Sequence, residues 1–288
     1  MRRTAACVVV LTGATAVAAQ QPTFRTAADA VTLYVEVRQG GRTIADLDQG
    51  DFEVRDNGVI QQITGVASHS GALQLHLLVD ASDSFVPFAR QSLHQAVSAA
   101  RQALEPHDDF RLYSIASAIE PLAEASQPSV ERRRADRGHT ALLDALAVIA
   151  IHRGDGSRRP LMIALTDGID TNSLLDPFLV GAVVATADVP IVVIRIDDVA
   201  GAGWRQIGPL EYFWFLRFVG DQTGGGFHQR RPGRDITGLI QQAMAAARAR
   251  YVLTYVPTSN APGWHAVDVR IKRPARFQVE VRRGYYRF

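Results

Sequence analysis

The chain is poor in residues on which whole classes of function depend. In 288 residues, cysteine occurs once, as Cys7, and lysine once, as Lys272. A single lysine near the far end of the chain removes phosphate-loop NTPases and lysine Schiff-base enzymes, which need that side chain in a defined loop or pocket. Charge of one sign is also missing. There are 31 Lys and Arg against 29 Asp and Glu, and removing Arg2 and Arg3 with the amino-terminal segment discussed below leaves 29 against 29. A chain without net positive charge lacks the electrostatic footprint of a nucleic-acid binder. Beyond the first residues no long apolar run occurs. The 47% hydrophobic and 21% charged content is that of a globular protein, too apolar for disorder and too interrupted for a polytopic membrane protein. The length suggests one large or two modest domains.

The segment 1–19 reads as a signal peptide. Arg2 and Arg3 precede the apolar run Ala5 to Val10, and Val17-Ala18-Ala19 offers small residues for cleavage before Gln20. Cys7 would leave with it, so the exported protein cannot depend on disulfides. The expectation is a periplasmic or secreted protein without an integral membrane segment after signal removal.

Two kinds of periodicity divide the rest. Val31, Leu33, Val35 and Val37 alternate with Thr32, Tyr34 and Glu36, a half-buried strand, and Phe52 to Arg55 runs into the hairpin signal Asp56-Asn57-Gly58. The far end repeats this alternation at 267–272 and 277–282. Between them, Leu73 to Val79, Leu161 to Leu165 and Ile191 to Ile196 are short apolar runs suited to strands buried on both faces. They alternate with helical stretches near 85–104, 141–152, 174–187 and 235–250. This order predicts an α/β fold, a doubly wound, mostly parallel sheet over 70–250. The flanking segments 20–69 and 251–288 are each too small to bury a core alone. They are expected to pair as a small β-sandwich into which the α/β domain is inserted.

In such sheets ligands bind beyond the carboxyl ends of strands, where loops meet helix amino termini. Three polar clusters fall there: Asp80-Ala81-Ser82-Asp83-Ser84 after the first central strand, Thr140 ahead of a helix, and Thr166-Asp167-Gly168 after the third. They supply carboxylates and hydroxyls and no thiolate. Such hard oxygen donors suit Mg²⁺, with Mn²⁺ or Ca²⁺ as substitutes, and argue against zinc.

The ordered trio of Asp-x-Ser-x-Ser, a later Thr and a strand-terminal Thr-Asp-Gly resembles the metal-ion-dependent adhesion site of von Willebrand factor type A domains. The whole chain is similar to the secreted bacterial proteins related to that family. It carries Asp51-Phe52-Glu53-Val54, Asp56-Asn57-Gly58, Tyr251-Val252-Leu253-Thr254-Tyr255 and Arg283-Gly284-Tyr285-Tyr286, as they do. The resemblance implies a Rossmann-like domain with Ser82 and Ser84 as direct ligands and Thr140 direct in the ligand-competent state. Asp80 and Asp167 would hold the ion largely through water. It further implies a protein partner presenting Asp or Glu to the open coordination position, and no reaction.

Two features depart from the pattern. Phe85 follows Ser84, and His139 stands where the family has a small residue; His139 reads as an outer donor, a partner contact or, preferably, a solvated loop residue. Asp170 is either a partner contact that tunes the site or, preferably, a helix cap. A phosphotransferase using Asp80 as nucleophile is a weaker alternative. It would want a second acid where Ser82 stands and a cation to clamp phosphate. Gly224-Gly225-Gly226 lacks a dinucleotide fingerprint and reads as a turn into the last central strand. Tyr212 to Val219 is apolar around a whole helix, which is expected in the core and otherwise offers a route to oligomers. That feature keeps open a structural assembly module with a vestigial metal site.

Overall fold

The computed structural model describes residues 30–68, 71–82, 86–122, 139–152, 157–196, 210–230 and 235–287. Ser84, Phe85 and the segment 1–19 lie outside them.

The described chain opens with β1 (Val31–Gln39), β2 (Arg42–Thr43), β3 (Phe52–Asp56), β4 (Val59–Gln61) and β5 (Ile63–Ser68). Strands then alternate with helices: β6 (Leu73–Asp80), α1 (Val86–Gln102), β7 (Asp109–Ile115), β8 (Ile119–Leu122), α2 (Leu142–Ile151), β9 (Arg159–Thr166), α3 (Pro177–Thr186), β10 (Ile191–Ile196), α4 (Leu210–Thr223), β11 (Gly226–Arg230) and α5 (Ile236–Arg248). It closes with β12 (Tyr251–Tyr255), β13 (Gly263–Ile271), β14 (Gln278–Glu280) and β15 (Gly284–Arg287).

The central sheet runs β11-β10-β9-β6-β7-β8, parallel except for β8. All eight residues of β6 are buried, because both faces are covered. On one face Leu75, Ile163 and Ile194 pack with Ala96, Ala100, Ile240 and Met244 of α1 and α5. On the other, Leu78, Met162 and Val193 pack with Leu146 of α2, Val184 of α3 and Leu216 of α4. Strand order reverses at β6: the chain passes to β7 and β8 on one side, then returns to β9 on the other. The carboxyl ends of β6 and β9 therefore flank the crevice where such sheets bind ligands.

The two ends of the chain pair with each other. β1 lies between β12 and β14, and β13 between β3 and β15, all antiparallel. Leu33, Val35, Phe52 and Val54 from the first end share a core with Tyr251, Leu253, Val269 and Tyr285 from the second. The hairpin turn between β3 and β4 uses Asn57 (φ 48°) and Gly58 (φ 81°), the left-handed pair its sequence promised.

Three of the four quoted motifs meet around one carboxylate. Asp56 Oδ2 accepts from Tyr255 at 2.9 Å and Tyr285 at 2.7 Å, and its Oδ1 lies 2.8 Å from His265 Nδ1, all buried. Asp51 receives two hydrogen bonds from Arg273, each 2.8 Å. All four signatures thus contribute contacts that join the chain ends.

The aromatic helix departs from its core expectation. Leu216 and Val219 of α4 are fully buried, but Trp214 is 60% exposed and Phe218 47%. One stripe of α4 serves the core, while Trp214 and Phe218 face away from it. Among the described residues no helix is long and apolar enough to cross a membrane.

Candidate metal centre

Asp80 is the last residue of β6 and is fully buried. Its Oδ1 accepts the backbone N–H of Ser82 at 2.9 Å, and its Oδ2 accepts the hydroxyl of Thr166 at 2.8 Å. The first bond tightens the turn after the strand, and the second crosses to the end of β9. Asp167 follows immediately. Its Oδ1 accepts from Ile169 N at 3.0 Å, whereas its Oδ2 is buried with no hydrogen-bond partner among the described residues. The Asp80 carboxyl is pushed up to about 7, first by burial and then by the neighbouring negative charge of Asp167, although hydrogen bonds from Ser82 and Thr166 oppose the shift.

Thr140 is brought to the same end of the sheet by backbone stitching. Ile115 O at the end of β7 accepts from Ala81 N, and the next residue's Ala116 O accepts from Ala141 N, both at 2.7 Å. Thr140 O accepts from Thr171 N and Asn172 N at 3.0 Å each, and its own N–H donates to Thr171 Oγ1 at 3.0 Å. The Asp80 turn, Thr140 and the loop beginning at Asp167 therefore form one hydrogen-bonded assembly. Thr140 and Ser82 are buried and His139 is exposed. Ser84, the remaining candidate ligand, lies outside the described residues.

Asp170 is engaged elsewhere. The residue before α2, Ala141, has no capping side chain, and Asp170 Oδ2 accepts Leu143 N there at 2.9 Å. Its oxygens also accept from the backbone and hydroxyl of Ser173. Asp144 in the first turn of α2 reaches back, accepting Leu174 N and Leu175 N at 2.9 Å each. This reciprocal clasp fixes the loop after Asp167 against the helix after Thr140. Thr166, Asp144 and Ser173 carry roles that sequence reasoning did not assign. Thr166 had a visible signal, a hydroxyl one position before a strand-terminal aspartate.

The candidate donors at this end of the sheet are oxygens, the ligand type that suits a hard cation. Among the described residues no three His, Cys, Asp or Glu side chains form a metal cluster, so the available set is two carboxylates supplemented by hydroxyls. Gly168 (φ 87°) makes the turn that follows, and a Cβ there would press on Leu216 at 3.3 Å.

No protein-family model matches the chain, and no curated protein does. Among solved structures it is similar to a von Willebrand factor type A protein from Catenulispora acidiphila, at TM-score 0.50 and 13% identity over 81% of this chain and 73% of that one. This chain has a von Willebrand factor type A fold. At that identity the likeness is one of fold alone. Looser similarity extends to proximal thread matrix protein 1 from the mussel byssus with a zinc-occupied MIDAS motif (TM-score 0.48, 13% identity, 67% of this chain and 49% of that one). It extends also to the manganese-loaded TRAP protein of Plasmodium vivax (TM-score 0.44, 14% identity, 82% and 99%).

Proposed function

We propose that the chain is an exported, metal-dependent protein-binding module of adhesion type. Asp80, Ser82, Ser84, Thr140 and Asp167 would hold one divalent cation, Mg²⁺ by preference and Mn²⁺ or Ca²⁺ as substitutes. The observation that carries this reading is Asp167 Oδ2, buried and without a hydrogen-bond partner among the described residues, beside the fully buried Asp80. Neither carboxylate has an Arg, Lys or His within salt-bridge distance among the described residues. Two adjacent buried acids are costly unless protonated or met by a cation.

The protein's own part is positional. Ser82 N–H and Thr166 Oγ1 fix both oxygens of Asp80, while Ile169 N–H holds one oxygen of Asp167 and leaves the other available. When bound, the cation supplies a coordination position that an Asp or Glu side chain of a protein partner can fill. In this reading residues 1–19 are a signal peptide and 70–250 the metal-bearing domain. Residues 20–69 and 251–288 form a small β-sandwich that carries it, in the periplasm or outside the cell.

The reading is of a binder and not an enzyme. Asp80 would be the nucleophile of a phosphotransferase, yet it is fully buried with both oxygens accepting hydrogen bonds. An assembly role through α4 is a second reading, favoured by the exposure of Trp214 and Phe218. Under it, Trp214→Ala changes oligomeric state in sizing experiments while metal affinity stays constant.

Calorimetric titration with Mg²⁺ and Mn²⁺ tests the main reading. Wild type should bind one ion saturably, and Asp80→Ala and Ser82→Ala should weaken or abolish binding. Equal, undetectable heats from all three proteins would overturn it.

A further inference from the structure

A polar cavity of about 410 Å³ opens at the end of the central sheet away from the aspartates. Val192 at the start of β10 and Gly226 at the start of β11 line it, so it lies at the amino-end edge of the parallel sheet, opposite the edge where β6 ends in Asp80 and β9 leads into Asp167. Its opposite wall is built from the terminal strands, including Glu36 of β1 and Glu280 of β14. Arg250, between α5 and β12, lies in the lining and is only 2% exposed.

The bonding of Arg250 is incomplete. Nη2 donates to Gly224 O at 2.6 Å, but Nε and Nη1 have no hydrogen-bond partner among the described residues. A buried guanidinium with unused donors is an expensive arrangement that a ligand oxygen would relieve. Other charged groups of the lining are matched. Arg38 Nε holds Glu36 Oε1 at 2.5 Å, Arg283 lies 3.7 Å from Asp221, and Arg282 is paired with Asp188. Arg250 has no carboxylate within salt-bridge distance among the described residues. Glu280 is the least committed acid. Its only ion pair among the described residues is to Arg38 at 3.8 Å, and its side chain is 49% exposed.

An unpaired cation and a loosely held anion in one cavity define the complement they want. We propose that this cavity binds a small zwitterion of the α-amino-acid class, with its carboxylate on Arg250 and its ammonium directed to Glu280. Arginine suits a planar carboxylate. A phosphate dianion is disfavoured, because Glu36, Glu280 and Asp268 share the lining. The proposal does not depend on the metal site and can be tested in chelator.

The test is calorimetric titration of the full chain, in EDTA, with each standard L-amino acid, and with acetate and inorganic phosphate as separate probes. At least one amino acid should bind saturably. Arg250→Gln and Glu280→Gln should weaken that binding about tenfold or more, from loss of a charged hydrogen bond. Ala246→Phe, which adds bulk to the lining without touching a charge, should abolish it. If Arg250→Gln fails to fold, the other two variants decide. No amino acid binding up to about 10 mM, a ceiling near 3 kcal/mol of binding energy, overturns the proposal and leaves a water-filled cavity. Binding of acetate or phosphate alone overturns the ligand class. Binding unaffected by both Glu280→Gln and Ala246→Phe places the site elsewhere and overturns it equally.

Discussion

Thr166 Oγ1 donates to Asp80 Oδ2 at 2.8 Å, joining the carboxyl ends of two neighbouring parallel strands through side chains that are both fully buried. The same Thr166 oxygen accepts Gly168 N at 3.0 Å, so one hydroxyl orients the Asp80 carboxylate and shapes the turn that carries Asp167. Groups that orient a ligand commonly matter to metal affinity about 10- to 100-fold. Thr166→Val should therefore weaken Mg²⁺ or Mn²⁺ binding by about that factor while the circular dichroism spectrum is retained. Thr166→Ser, which keeps the hydroxyl, should restore most of the affinity.

The Asp56 cluster predicts a stability effect remote from the metal. Tyr255, Tyr285 and His265 all depend on this one carboxylate. Asp56→Ala would leave buried hydroxyls and an imidazole without their acceptor, at a cost of about 3–5 kcal/mol. Urea denaturation should show a correspondingly lower midpoint. Tyr285→Phe, which removes a single donor, should cost about 1.5–3 kcal/mol at most.

His76 gives the fold an acid sensitivity. It lies in the middle of β6, 1% exposed, stacked on Tyr113, with Nδ1 lacking a partner among the described residues. Burial, then the neighbouring Arg111 and His152, hold its pKa down to about 4 against an ordinary 6.5. Above 6.5 the imidazole is neutral in folded and unfolded chains alike and has no effect. As pH falls from 6.5 toward 4, only the unfolded chain takes up the proton, so stability is lost across that window by up to about 3 kcal/mol. His76→Leu should flatten this part of a melting-temperature profile against pH. An unchanged slope would contradict the assignment.

The Gly224-Gly225-Gly226 run is a close-approach device. A Cβ on Gly225 would fall 2.1 Å from the carbonyl oxygen of Ile191, and one on Gly224 (φ 73°) 2.7 Å from Arg282 N. Backbone cannot yield as a side-chain tip can. Gly225→Ala should thus reduce soluble yield or lower the melting temperature by well over ten degrees, on the scale of about 2–4 °C per kcal/mol for a chain of this size. Gly238→Ala, where nothing lies within 4 Å, should be tolerated and serves as the control.

Much of the architecture could be read from local pattern, and the reasons are specific. Leu73 to Val79 and Ile191 to Ile196 are mostly apolar, with Gln74, His76 and Arg195 the exceptions, because helices cover both sheet faces, and Asn57-Gly58 announced its turn by residue type. Asp80 and Asp167 stood out because polar residues ending such runs fall at strand carboxyl ends. β7 was not apparent, since Asp109 and Arg111 interrupt its apolar run and pair with each other at the partly exposed start of the strand. The alternation at 277–282 suggested a longer strand than β14, which pairs only across Gln278–Glu280. Partners far apart in sequence left no local trace: His265 meets Asp56 across 209 positions, and Asp170 caps a helix that begins 28 residues before it. Exposure of Trp214 and Phe218 was equally hidden, because an all-apolar helix does not reveal which side the core takes.

The most direct measurement is electron paramagnetic resonance of Mn²⁺ added to the protein, in which bound ion is lost from the free six-line signal. Wild type should remove one Mn²⁺ per chain, reversed by excess Mg²⁺. Asp167→Ala, which deletes the unpartnered buried oxygen, should leave nearly all the ion free. A full free-ion signal with wild type, or equal uptake by the variant, would contradict the account.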